Sequence, residues 1–255
     1  MFFLNMTFVG IDPNADDKQI VYAAIDHEKR LLALSKGTMD DVLAFAAGQR
    51  QAVAAVCGPR QPNQGLMKKQ EVRANLSRPP APGRWEKFRV ADYCLRQHNF
   101  SIVPISESEE DCARWMRQGF EIFRRLRAMG YELYPQPEAE RWCLEVYPHA
   151  AFGVLLEQVP FPKHSLEGRL QRQLSLYVRD LDIPDPMKFF EEITRHRLLN
   201  GILPLDDLYS PAELDALVAA YTGLIAASQP SQVSLIGDPE EGQVVLPVSK
   251  LKSRY

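Results

Sequence analysis

Six residues near the amino terminus, Thr7-Phe8-Val9-Gly10-Ile11-Asp12, constrain this chain more than any other stretch. They form a short apolar run rich in strand formers that stops at a carboxylate and the turn signal Pro13-Asn14. Such a run suits a strand buried on both faces, as in the middle of a mixed or parallel sheet. The last residue of such a strand emerges at the carboxyl edge, where open α/β folds place their ligands. Asp12 is therefore the first candidate functional residue. The plainer reading is an exposed aspartate opening a turn.

The stretches that follow read as a meander. Residues 19–26 and 30–35 are strand-like, and His27-Glu28-Lys29 makes a tight turn between them. Thr38 caps a helix reaching about Gln49, with Asp40 and Asp41 in its first turn, and Ala52 to Cys57 is another apolar strand, ended by Gly58-Pro59. Phe100 to Ile105 reads as a short extended piece. After an acidic cluster, a helix carries Trp115, Met116, Phe120, Phe123 and Leu126 at three- and four-residue steps. Trp142 to Tyr147 is a further strand with Glu145 near its end. Helices are expected over 150–156, 165–181 and 186–199. Ser210-Pro211-Ala212-Glu213 is a helix start with Ser at the N-cap, Pro at N1 and Glu at N3. The helix it opens runs to Ala227 and is rich in small residues, so it can lie close against a sheet. Gln243 to Pro247 is the last expected strand, and the basic tail after it is expected to be loose.

Composition narrows the partners. At 255 residues the chain suits one elaborated domain, 1–255, and a formal net charge of −3 means that any nucleic-acid grip must be local. Residues 60–96 supply a candidate: nine Lys or Arg (Arg60, Lys68, Lys69, Arg73, Arg78, Arg84, Lys87, Arg89 and Arg96) against Glu71, Glu86 and Asp92. The segment holds a proline-rich loop, with Trp85 and Phe88 interleaved. It leaves from the strand end beside Asp12 and is expected to overhang it as a basic insertion contacting nucleic acid, although a charge run is more often simply solvated. The cysteines Cys57, Cys94, Cys112 and Cys143 form no metal-binding pair, and the histidines have no ligand spacing, which suits reduced thiols in a cytoplasmic protein. The first residues lack a basic signal region and read as a leader before Met6. No apolar run reaches the ~20 residues of a membrane span.

Asp12, Glu145 and Asp215 stand at comparable places: two strand ends and a closing helix. The plainer readings are a solvent-facing strand residue for Glu145 and a helix-dipole acid for Asp215. Several motifs accompany them in order: Gly10-Ile11-Asp12; Ala55-Val56-Cys57-Gly58-Pro59; Arg89 to Arg96; Glu145-Val146-Tyr147-Pro148; Lys163 with Gly168-Arg169 and Arg172; and Leu214-Asp215-Ala216-Leu217. In these the chain resembles the domain-of-unknown-function family 429, a predicted-nuclease group in the ribonuclease-H-like superfamily. The resemblance implies an α/β fold with a mixed five-stranded sheet of order 3-2-1-4-5, helices on both faces and helical insertions. It also implies an acidic cluster, Asp12, Glu145 and Asp215, holding Mg2+ or Mn2+.

One departure stands out. Where the family carries a second aspartate, this chain has Cys57, a thiol with neither the charge nor the hardness that magnesium selects. Asp16, Asp17 or the more distant Glu71 are the candidates to replace it. The leading expectation is metal-dependent hydrolysis of nucleic-acid phosphodiesters. Two ions ~4 Å apart would bridge the scissile phosphate, and Arg89, Arg96, Lys163, Arg169 and Arg172 would balance its charge. The alternative is a catalytically impaired ribonuclease-H-like fold serving as a nucleic-acid or nucleotide binding module. A third reading makes Cys57 a nucleophile with His149 as its base.

Overall fold

The computed structural model describes residues 5–13, 19–81, 83–136 and 139–255. Residues 1–4 of the expected leader and the candidate ligands Asp16 and Asp17 lie outside the described residues.

The chain opens with the expected meander: β1 (Thr7–Asp12), β2 (Ile20–Ile25) and β3 (Leu31–Gly37), followed by α1 (Met39–Ala47) and β4 (Ala52–Val56). Thr38 caps α1 as expected, and Asp41 completes a reciprocal capping box with it. Then come α2 (Gln70–Ala74), α3 (Val90–Gln97), α4 (Arg114–Ala128), the two-residue β5 (Glu132–Leu133) and β6 (Arg141–Val146). Helices α5 (Pro148–Leu156), α6 (Leu166–Tyr177), α7 (Lys188–Glu192), α8 (Arg195–Leu199) and α9 (Pro211–Ser228) lead to a closing hairpin, β7 (Ser234–Asp238) and β8 (Gly242–Leu246).

Among the described residues the sheet is mixed and has eight strands, in the order β3-β2-β1-β4-β6-β8-β7, with β5 attached to β6. The order expected for five strands holds from β3 to β6. The sheet then continues through β8 and β7, so the expectation of five strands is corrected. The strand β7 reads weakly in sequence because Ser234-Leu-Ile-Gly-Asp238 is only half-buried and its Gly237 has φ +117°. Strands β1, β3, β4, β5, β6 and β8 run in one direction, whereas β2 and β7 reverse.

Helices cover both faces. On one, α1 and α4 pack Val42, Leu43, Ile122 and Phe123 against Val9, Ile11, Ala54 and Val56. On the other lies α9, with α3, α5 and α6 around it, over Phe8, Val53, Ala55 and Leu144. Every residue of α9 from Leu214 to Ala227 is buried, and the helix runs so close to β1 that a Cβ on Gly10 would stand 1.8 Å from the Ala216 carbonyl oxygen.

Three other expectations change. The single helix over 186–199 is two, because Thr194 turns extended and its hydroxyl caps α8 by accepting from the Arg197 amide at 3.1 Å. The tail is docked: the Tyr255 ring stacks on Phe100 with centroids 5.0 Å apart, and Lys252 pairs with Glu157 at 2.6 Å. Finally, the basic segment 60–96 does not overhang Asp12. Glu241, fully buried between β7 and β8, accepts from the amides of Val90 and Gln64 at 2.8 and 2.9 Å and draws the segment toward the β8–β7 end of the sheet. There Trp85 and Phe88 pack on Leu66, Met67, Val90 and Tyr93 as a small core of their own. Among the described residues no helix is long and apolar enough to cross a membrane.

Candidate functional site

Because β1, β4 and β6 are parallel, their carboxyl ends share one edge of the sheet. The Cys57 amide donates to the Ile11 carbonyl at 2.8 Å, which carries the pairing one step further and sets Cys57 beside Asp12. Asp215, in the second turn of α9, meets them from the helix layer. Together they floor a cleft of about 320 Å³, within the range of small-molecule sites. Its walls come from remote segments: Trp115 at the start of α4, Tyr147 and His149 where β6 turns into α5, and Phe161 to Lys163 before α6.

Two of the three expected acids converge here and the third does not. Ile11 pairs with Val56 and Val56 with Glu145, so these three side chains share the α1/α4 face, one residue out of step with Asp12 and Cys57. A one-residue offset in a strand points a side chain to the opposite face. Glu145 is instead held by Arg89, whose Nη2 and Nη1 donate to it at 2.6 and 3.1 Å, and by the Arg60 amide at 3.2 Å. Arg89 also donates to both oxygens of Asp92, at 3.0 and 3.2 Å, and all three side chains are buried.

The cleft has its own cation. Lys163 Nζ lies 2.8 Å from Asp215 Oδ2. Burial pulls the lysine pKa down, but Asp215, and Asp12 behind it, more than reverse this and hold the ammonium above the ordinary value. Cys57 donates its thiol to the Asp215 carbonyl at 3.3 Å. Burial pushes that thiol well above its ordinary pKa, and Asp12 and Asp215 push it further. A thiol held protonated is a poor nucleophile. Iodoacetamide at neutral pH is therefore expected to leave Cys57 of the folded protein unmodified, read by peptide mass spectrometry; rapid carbamidomethylation there would restore the thiolate reading.

The donor set does not fit a two-metal centre. Magnesium asks for several hard, anionic oxygens in octahedral array. Here one aspartate is already paired with an ammonium, the neighbouring strand end is a neutral thiol, and Glu145 faces elsewhere. Glu71 is exposed on α2. Among the described residues no three His, Cys, Asp or Glu side chains form a metal-ligand group.

Of the five expected phosphate-binding cations, Lys163 and Arg172 line the cleft. Arg89 is committed to Glu145 and Asp92. Arg169 ties α6 to the loop before α9 by donating to the carbonyls of Tyr209 and Leu208 at 2.8 and 2.5 Å, and Arg96 is exposed on α3. Arg172 is only 2% exposed, and its Nη1 donates to the carbonyls of Phe161 and Gly168 at 2.8 and 3.0 Å. Its Nε has no hydrogen-bond partner, and no described carboxylate stands within ion-pair distance of it. Gly168 makes this possible, since a Cβ there would lie 1.9 Å from the Pro162 carbonyl and force the Phe161–Lys163 loop away. Burial, with Arg172 beside it, lowers the pKa of His149.

Sequence reading set His149 beside Cys57, as a base, but missed Trp115, Tyr147 and Phe161 as cleft walls. Tyr147 and His149 carried a signal, since they follow a strand's carboxyl end; Trp115 and Phe161 carried none. No curated protein and no solved structure matches the chain. The model of the family described as a protein of unknown function, DUF429, matches residues 10–241, and the chain belongs to that family.

Proposed function

We propose that this chain is a catalytically reduced ribonuclease-H-like protein that binds a nucleotide or a nucleic-acid end in the Asp12–Asp215 cleft without a divalent ion. The observation that carries this reading is Arg172. A buried guanidinium lacking a direct counter-ion is costly, and an anionic ligand offsets that cost. Lys163 stands in the same cleft and neutralises Asp215, so a phosphate there does not meet a purely acidic floor. The rings of Trp115 and Phe161 offer stacking surfaces for a base, and Phe161 is 54% exposed although it lines the cleft.

Calorimetric titration of the full chain with nucleoside monophosphates and short single strands, in the presence of a chelator, tests this. Saturable binding is expected. Phe161→Ala, at an exposed position, is expected to weaken it by roughly 5- to 150-fold, the equivalent of one stacked base. No binding at millimolar ligand overturns the reading. The convergence of Asp12 and Asp215 is what favours the nuclease reading, and magnesium-dependent cleavage of an oligonucleotide, lost in Asp12→Asn, replaces ours with it.

A further inference from the structure

We infer that Lys163 is the resident cation of this site: its ammonium takes the place that a divalent metal takes in an acidic sheet-edge cluster, and the wild-type cleft is closed to such metals for that reason. The inference rests on the metal-independent part of the reading above but not on the identity of the ligand.

Three observations carry it. The first is position. Lys163 Nζ contacts Asp215 Oδ2 at 2.8 Å and lines the same cleft as Asp12 and Cys57, so it sits where two carboxylates would otherwise share a cation. The second is rigidity. The lysine is fixed by the loop before α6, which Arg172 clamps through the Phe161 carbonyl and Ser165 anchors by capping α6, its hydroxyl accepting from the Gly168 amide at 3.0 Å. Its side chain is 32% exposed and that of Asp215 only 8%, so the pair is screened from water far more than a surface ion pair. The third is charge matching. A neutral thiol at Cys57 leaves one strand end without an anion, and Lys163 already pairs with Asp215, so a dication would add to Lys163 and be repelled by it. An aspartate at position 57 would change this balance. The thiol and the lysine thus act in one direction: fewer anions and a fixed cation.

The consequence is a latent metal site that two substitutions open. Lys163→Gln removes the cation but keeps a side chain of similar reach, and Cys57→Asp adds a hard ligand. The probe is Mn2+ alone, measured by the loss of the free aqua-ion paramagnetic resonance signal, with thermal melting to establish folding. The wild type is expected to sequester no Mn2+ through Asp12 up to roughly 1 mM, the weak end of protein sites, and the double variant to bind at least about tenfold more tightly. Asp12→Asn in the double variant is expected to abolish the gain. If the double variant does not fold, Lys163→Gln alone decides, with a smaller gain of the same sign.

Two results overturn the inference: wild-type uptake of Mn2+ that Asp12→Asn removes, or a folded Lys163→Gln protein with no gain. A nucleotide that fails to bind overturns the proposed function instead, and leaves the Mn2+ comparison intact.

Discussion

Arg89→Ala is expected to cost about 3–5 kcal/mol of folding stability, because it leaves two buried carboxylates without their cation. Arg89 donates four hydrogen bonds, two to Glu145 on β6 and two to Asp92 on α3, and each of the three residues is at most 5% exposed. The pair does not stabilise simply by existing. Burial raises the Asp92 pKa above its ordinary value even though Arg89 pulls it down. Desolvation outweighs attraction at Asp92, whereas at Arg89 the two carboxylates outweigh desolvation, so burial offsets part of what the ion pairs gain. What is costly is to break the group in part. Denaturant unfolding measures this as a lower midpoint at unchanged slope. Two companions make the test specific. Arg89→Met with Asp92→Leu and Glu145→Met removes the whole group and is expected to regain most of the loss. In Arg89→Ala, Asp92, already raised by burial, loses the partner that lowers it and takes up a proton on folding, so the deficit should shrink as pH falls toward about 4, where unfolded acids titrate. A deficit under about 1 kcal/mol, or one that ignores pH, would mean that water reaches both acids and that the group is not closed.

The same group marks where sequence reading stopped. The strand ends at Asp12 and Cys57 and the capped, small-residue helix carrying Asp215 were legible because local pattern determines them: an apolar run, Ser210 to Glu213, and the run of alanines. Glu145 was not. Its strand is buried on both faces, so Trp142 to Tyr147 shows no alternation, and only pairing with β4 decides which face a residue takes. Arg89 looked like a phosphate-binding cation of a basic segment, since its partner Glu145 is 56 positions away. Lys163 and Asp215 are likewise 52 positions apart. Long-range ion pairs have no periodicity. The tail looked loose for the same reason: the Tyr255 ring finds Phe100, and its amide finds the His98 carbonyl at 3.2 Å, contacts that no local pattern announces.

Gly10→Ala is the second large effect, and it reaches the cleft. The added Cβ would stand 1.8 Å from the Ala216 carbonyl oxygen and 2.6 Å from the Ala220 amide nitrogen. Both are backbone atoms of α9, so no side chain can rotate aside and the helix itself has to retreat. It is buried along its length, between the sheet and α5 and α6, and retreat opens packing on one side while crowding the other. Overpacking of this kind costs 1–3 kcal/mol when side chains yield, so roughly 3 kcal/mol or more is expected here. Gly223→Ala supplies the comparison. It lies on the same helix, its Cβ would meet the side-chain atom Val53 Cγ1 at 3.1 Å, and the gain in helix propensity of about 1 kcal/mol offsets that contact. Denaturant unfolding should therefore separate the two glycines by several-fold in free energy. Asp215 is the residue next to Ala216, and its 2.8 Å contact with Lys163 depends on where α9 lies. Gly10→Ala is expected to weaken nucleotide binding in molecules that remain folded, whereas Gly223→Ala leaves it unchanged. Equal affinities in the two variants would place the anion-binding elements wholly in the loop before α6, with Arg172, and free them from the helix that β1 supports.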